Sequence, residues 1–177
     1  DTVPLTRALT APPGWQLHLL ELPKGGKLAA LNVGDAAAAG DILIYLDADV
    51  RISAELIPQI ITTLAQGPAQ YASGTPQIPP AHSAVTRAYA SFWSLLPFFT
   101  DGVPGFGIFA MTRRGRARWG EWPDIIADDI FARLSFTPAE RQRVAAPYAW
   151  PMVEGFRNLV RVRRRQNAGV AEVATKF

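Results

Sequence analysis

The chain contains no cysteine, which excludes disulfide scaffolds and thiolate metal centres and fits a reducing compartment. Long apolar runs are missing as well: nothing approaches the roughly 18 uninterrupted apolar residues of a membrane span. Histidine is scarce, and neither His18 nor His82 has a partner at metal-ligand spacing, so both are expected to be structural. There is no internal repeat and no linker composition. What is present is a globular mixture, 49% hydrophobic and 19% charged over 177 residues, enough for one domain with a sizeable core. The net charge of +3 is modest but unevenly spread, because Arg157, Arg161, Arg163, Arg164 and Arg165 crowd one short stretch. Such a cluster serves a phosphate-bearing ligand, an anionic membrane surface or nucleic acid. No nucleic-acid motif accompanies it and no aromatics are interleaved with it, so nucleic acid is set aside.

Asp47-Ala48-Asp49 follows directly on Ile42–Leu46, an apolar run rich in β-branched and aromatic residues that reads as a buried strand. A buried strand ending in D-x-D delivers two carboxylates to the carboxyl end, where open α/β sheets bind ligands. In extended chain, residues i and i+2 project to one side. Asp47 and Asp49 can then share one hard cation, Mg²⁺ or Mn²⁺, with coordination sites left for phosphate oxygens. The plainer reading is a turn in which one Asp caps the following helix.

Elements alternate through the first half. Gln16–Glu21 reads as a strand, Lys27–Ala39 as an Ala-rich helix ended by Gly40, and Ile42–Leu46 as a strand. Ser53 is the expected N-cap of a helix running to Gln66, with Gly67-Pro68 as its stop and Ala69–Ser73 as the next strand. This β-α-β-α-β order predicts an α/β fold with a mostly parallel sheet flanked by helices. Further on, Ser83–Leu96 reads as a helix with Phe92 and Trp93 in the core. Leu95–Phe99 reads as a turn interrupted by Pro97. Gly102–Gly107 feeds a strand at Ile108–Thr112, Asp128-Asp129 opens a helix at Ile130–Leu134, Pro138–Glu140 begins a turn, and Glu154–Thr175 is a long Arg-rich helix.

In order and spacing these pieces resemble the inverting glycosyltransferases of family 2, which have a GT-A fold. KGGKLAALNVGDAAAAGDILIYLDADV is similar to that family's G-K-x-x-A-L-N…A-x-G-D-I…D-A-D block, and GVPGFGIFAMTRRG…WPDIIADDIFARL resembles its acceptor-side block. The flavour is nearest to bacterial ceramide and hopanoid glucosyltransferases, over roughly residues 17–169. The sequence departs from the family in two places. The family's opening strand and nucleotide loop precede the region corresponding to Asp1, so residues 1–177 are expected to be a single GT-A-like domain that is incomplete at its N-terminus. In the Q/R-x-x-R-W signature, Arg161-Val162-Arg163-Arg164 supplies the arginines, but Arg165 stands where Trp is expected.

The resemblance implies a metal-dependent transfer of sugar from a nucleotide-diphosphate sugar, UDP-glucose or a related UDP-sugar, to an acceptor hydroxyl. It implies Asp49 as direct metal ligand with Asp47 sharing the Mn²⁺ or Mg²⁺ or holding the ribose. It implies Asp129 as general base beside Asp128, with Lys27 and Asn32 approaching the nucleotide. Arg157, Arg161 and Arg164, spaced i, i+4, i+7, share a helical face whose guanidinium forks suit diphosphate oxygens. The same helix admits a second reading, lying on anionic lipid with Leu159, Val160 and Val162 in apolar contact. The family reading therefore admits a lipid acceptor, peripheral membrane contact and a cytoplasmic location at the inner face of the membrane. The alternatives are a sugar nucleotidyltransferase, which uses a similar sheet and acidic metal ligands, and a non-catalytic remnant of the fold that only binds.

Overall fold

The computed structural model describes residues 2–23 and 25–177. Its helices are α1 (Thr2–Arg7), α2 (Lys27–Ala37), α3 (Leu56–Gln66), α4 (Ala84–Trp93), α5 (Pro97–Thr100), α6 (Arg113–Arg116), α7 (Asp128–Leu134) and α8 (Phe156–Lys176). Its strands are β1 (Ile42–Leu46), β2 (Arg51–Ile52), β3 (Tyr71–Gln77), β4 (Ile108–Thr112) and β5 (Arg141–Ala149). The chain divides after Ala39 into two compact units.

In the larger unit the strands form one sheet in the order β1-β4-β3-β5-β2. β3 and β5 pair in parallel, while β1–β4, β3–β4 and β2–β5 are antiparallel. The expected α/β class holds, but the sheet is mixed. The expectation of mostly parallel strands overlooked that β4 runs against both of its neighbours, inserted between β1 and β3. Alternation along the strands sorts side chains to two faces. Ala72, Ile108, Ala110, Val144, Ala146 and Tyr148 turn towards α3, whose Leu56, Ile60 and Leu64 are buried at i, i+4, i+8. On the opposite face Tyr45 and Tyr71 stack on either side of Phe109, at 4.8 and 6.0 Å between ring centres, and Trp122 and Phe136 close over them.

Local chemistry explains where the elements start and stop. Ser83 caps α4, its hydroxyl accepting the Thr86 N–H at 3.2 Å. Ser53 does not cap α3: its N–H donates to the Pro147 carbonyl, prolonging the β2–β5 pairing, and the helix begins after Glu55. Pro97, expected to break structure, instead occupies the first turn of α5, where its missing N–H costs nothing. Phe92 is a correction. Trp93 turns inward beneath α8 and against Trp150, whereas Phe92, rotated one helical step away, is 58% exposed.

Sequence reasoning missed the two-residue β2 and the longer β5, whose Ala145, Ala146 and Pro147 are poor strand formers. The Val144, Ala146, Tyr148 alternation was its available signal, and Pro147 is accommodated where the β3–β5 register shifts. In the smaller unit, α2 runs from Lys27 and stops at Ala37, short of Gly40, and buries no residue. Gln16–Glu21, expected as a strand, joins no ladder among the described residues. An alternating segment without a hydrogen-bonding neighbour is not a strand.

Two predictions follow from the packing. A Cβ on Gly74 would lie 2.7 Å from Leu56 Cδ1, 2.9 Å from the Ala146 carbonyl oxygen and 2.9 Å from Tyr148 Cδ1. Gly74→Ala should therefore lose roughly 1–3 kcal/mol in urea denaturation. Gly120→Ala, whose Cβ meets nothing within 4 Å, should stay within about 0.5 kcal/mol of the parent. The second concerns Glu140, which enters β5 bound to Arg118 and to the Thr137 N–H and hydroxyl. These bonds, that from Arg118 foremost, hold its carboxyl down to about 2 from 4.5. A depressed folded pKa stabilises above the unfolded value and loses that effect as pH falls through the folded one. The stability difference between the parent and Glu140→Gln should be full above pH 4.5 and fade as pH approaches 2; persistence of the full gap at the acid end would refute the assignment.

Candidate active site

β1 ends at Leu46, and the chain turns at once, the Val50 N–H donating to the Asp47 carbonyl at 3.2 Å. The D-x-D segment is thus a turn and not the extended chain assumed from its spacing, and neither Asp caps α3. Asp47 is half-buried and Asp49 exposed. Immediately beforehand the Asp47 N–H donates to the Gly107 carbonyl at 2.8 Å, carrying the β1–β4 ladder one residue past the Leu46–Ile108 pair. Gly107 has φ +80°, and a Cβ there would stand 2.8 Å from Val50 Cγ2 and 3.1 Å from Trp150 Cδ1. Glycine is required twice over, for the left-handed backbone and for the close approach of the turn.

The second acidic pair opens α7. Its N-cap is Ala127, so Asp128 and Asp129 both lie inside the first turn, where the helix dipole favours negative charge. Asp128 is only 3% exposed; Asp129 is half-buried, and its Oδ1 accepts the Ile130 N–H at 2.9 Å. Gly105 faces this turn: its Cβ would be 3.2 Å from the Asp129 carbonyl oxygen and 2.5 Å from the Tyr71 hydroxyl. One turn beyond Asp129, Arg133 donates from Nε to the Val103 carbonyl at 2.9 Å. One strip of backbone, residues 102–107, therefore touches the D-x-D turn through Gly107 and the Asp pair through Gly105.

The electrostatics agree with that proximity. Burial pushes the Tyr71 hydroxyl well above its ordinary pKa, and the negative charge of Asp129 pushes it further. Tyr148 is raised in the same way, by burial first and by Asp129 in lesser part. Both phenols are neutral at any working pH, and Tyr148 donates to the Phe106 carbonyl at 2.9 Å.

α8 braces the Asp pair from behind. Gly169 lets it approach until a Cβ would stand 3.0 Å from Ala127 Cβ, Glu172 Oε2 accepts the Ile126 N–H at 2.9 Å, and Lys176 Nζ donates to the Asp124 carbonyl at 3.2 Å. Arg161 and Arg164 lie on the exposed side of α8, Arg161 bonded to Asn158 Oδ1 at 2.6 Å. Lys27 opens α2 and Asn32 is half-buried within it, both in the smaller unit. The structure thus brings Asp47, Asp49, Asp128 and Asp129 around one loop, with the arginines facing solvent. Sequence reasoning missed Tyr71, Arg133 and Trp150. Only Arg133 carried a signal, its i+4 spacing from Asp129.

The donor set at the turn is hard, two carboxylates without sulfur or imidazole. Among the described residues no group of three or more His, Asp or Glu forms a closed metal cage. Asp47 and Asp49 fit a cation that completes its shell from phosphate oxygens and water, the habit of Mg²⁺.

The sequence profile of glycosyl transferase family 2 matches residues 1–119. No curated protein matches at a significant level. Solved structures of glucosyl-3-phosphoglycerate synthase from Mycobacterium tuberculosis share the fold. The complex with Mn²⁺ and UDP-glucose aligns at TM-score 0.57 and 20% identity, over 86% of this chain and 56% of that one. The complex with Mg²⁺ and UDP gives 0.54 and 20%, over 86% and 54%. That with Mn²⁺, UDP-glucose and glycerol 3-phosphate gives 0.53 and 20%, over 86% and 55%. The chain spans about half the length of these structures, and the likeness establishes a GT-A-like α/β fold. On the profile match and the fold together, the chain belongs to glycosyl transferase family 2.

Proposed function

We propose that this chain forms a single GT-A-like domain that moves a sugar from a nucleotide-diphosphate sugar, UDP-linked, to an acceptor hydroxyl with inversion. The observation that carries the reading is the shared wall 102–107, with the D-x-D turn against Gly107 and Asp129 against Gly105. The UDP-glucose and Mn²⁺ bound by the structural neighbours support the donor and metal classes. A lipid-borne acceptor and peripheral contact with the cytoplasmic face of a membrane belong to the same proposal.

In this mechanism Asp129 accepts the acceptor's hydroxyl proton as the oxygen attacks the anomeric carbon. The bond from that carbon to the diphosphate oxygen breaks on the opposite side, and the nucleoside diphosphate departs with the electron pair. Asp128, buried beside Asp129 in the first turn of α7, is assigned a supporting role. Asp49 and Asp47 would hold Mn²⁺ or Mg²⁺, which when bound supplies positive charge for the leaving diphosphate. Lys27 and Asn32 are assigned to the nucleotide. Of the two roles open to Arg161 and Arg164, diphosphate or anionic surface, their exposure favours the second.

Donor binding is the test that comes first. With Mn²⁺ present and UDP-glucose at about a hundred times Kd, the native state should gain roughly 2.7 kcal/mol. In a chain of this size that is a Tm rise of about 5–10 °C. The rise should vanish without metal and in Asp49→Asn; a metal-dependent rise with CTP instead would favour a nucleotidyltransferase. Asp129→Asn should keep the donor-induced rise yet lower kcat by roughly 100- to 10,000-fold, and equal turnover in parent and variant would remove Asp129 as base.

A further inference from the structure

Between Leu56 and Thr100 the sequence contains no Asp or Glu, and between Gly155 and Ala171 it again contains none. These two acid-free stretches meet in the fold. The Thr86 hydroxyl accepts the Gly155 N–H at 3.0 Å, just before α8 begins. Two turns further along both helices, the Arg163 guanidinium lies over the Trp93 ring at 5.2 Å. α4 and the N-terminal half of α8 therefore run side by side in the same direction, tied at two points.

Both helices nonetheless leave large apolar residues exposed to solvent. On α4, Val85 and Phe92 stand at i, i+7 on one exposed stripe, and Leu95 beyond it is 78% exposed. Phe98 of α5, packed edge-on to Trp93 at 4.9 Å, is also exposed, and Phe156 at the start of α8 is 67% exposed. No helix among the described residues is long and apolar enough to cross a membrane.

The arginines of α8 are arranged against the helix's own interest. Cations stabilise a helix at its C-terminal end, yet these fill the N-terminal half, and the first turn has no acid. Arg157, Arg161 and Arg165 follow one another at i, i+4 and repel. Glu154, the nearest carboxylate in sequence, is occupied by the backbone N–H groups of His82 and Ser83. The local cost calls for an anion outside the chain, and the adjoining exposed apolar side chains call for one attached to a hydrocarbon phase.

We infer that the α4–α5 and α8 surface is a docking face for an anionic lipid bilayer, with Phe92, Leu95, Phe98 and Phe156 entering the interface and Arg157, Arg161, Arg164 and Arg165 meeting the headgroups. This deepens the membrane contact proposed above and rests on that reading only for the acceptor. The docking itself does not depend on sugar transfer.

Flotation with phosphatidylcholine vesicles, with and without phosphatidylserine, tests it. The chain should float with the anionic vesicles only, and its partition should fall about fivefold for each of the four arginines changed to Ala. It should weaken as salt shortens the Debye length. Phe92→Ser with Leu95→Ser should reduce partition at low salt, with the melting temperature unchanged because both side chains are exposed. Asp49→Asn should bind vesicles like the parent, so a failure of the transferase reading leaves this result distinct. Binding to both vesicle types alike, binding to neither, or displacement from the vesicles by millimolar inorganic phosphate would overturn the inference. So would self-association of the chain through the same residues in sedimentation.

Discussion

The hydrogen bond from the Asp47 N–H to the Gly107 carbonyl, and the close approach it enforces, is the contact on which the site depends. It carries the β1–β4 ladder past the last paired residues and releases the chain into the acidic turn only where β4 has already become a loop. A side chain at Gly107 would collide with Val50 and Trp150. The position of the turn is thus set by backbone against backbone, which is stiffer than any arrangement of side chains.

The same loop transmits that order to the second acidic pair. Gly105 abuts the Asp129 carbonyl and the Tyr71 hydroxyl, and Arg133 reaches back from α7 to hold Val103. Tyr71 is fully buried beneath, stacked on Phe109 and tilted against Phe136. The Asp129 charge lies close enough to this buried phenol to raise its pKa further. α8 completes the support, because the residues just before Asp128 are pinned by Glu172 and by the gap at Gly169.

α8 consequently has two sides with different work. Leu159, Gly169 and Val173 are buried, and Glu172 and Lys176 fix the segment before α7. Its other side carries the exposed arginines of the N-terminal half. Docking through that side, as inferred above, would bring the helix that braces the segment before Asp128 close to the membrane surface.

Ile42–Leu46, Ile108–Thr112, the start of α7 and the length of α8 were legible from sequence, because their apolar runs and helical spacing are local signals that packing merely confirms. The D-x-D and the Asp pair were legible as clustered carboxylates for the same reason: groups adjacent in sequence stay adjacent in space. The mixed strand directions, the strand at Arg141–Ala149 and the exposure of Phe92 were not, since each depends on a neighbour distant in the chain. Nor could spacing reveal that Gly105 and Gly107 join the two acidic motifs, or that Tyr71 lies beneath one of them. The sequence alone determined which carboxylates stand next to one another in the chain. Only the tertiary structure decided which segments meet, because that depends on hydrogen bonds and steric contacts between stretches distant in the chain.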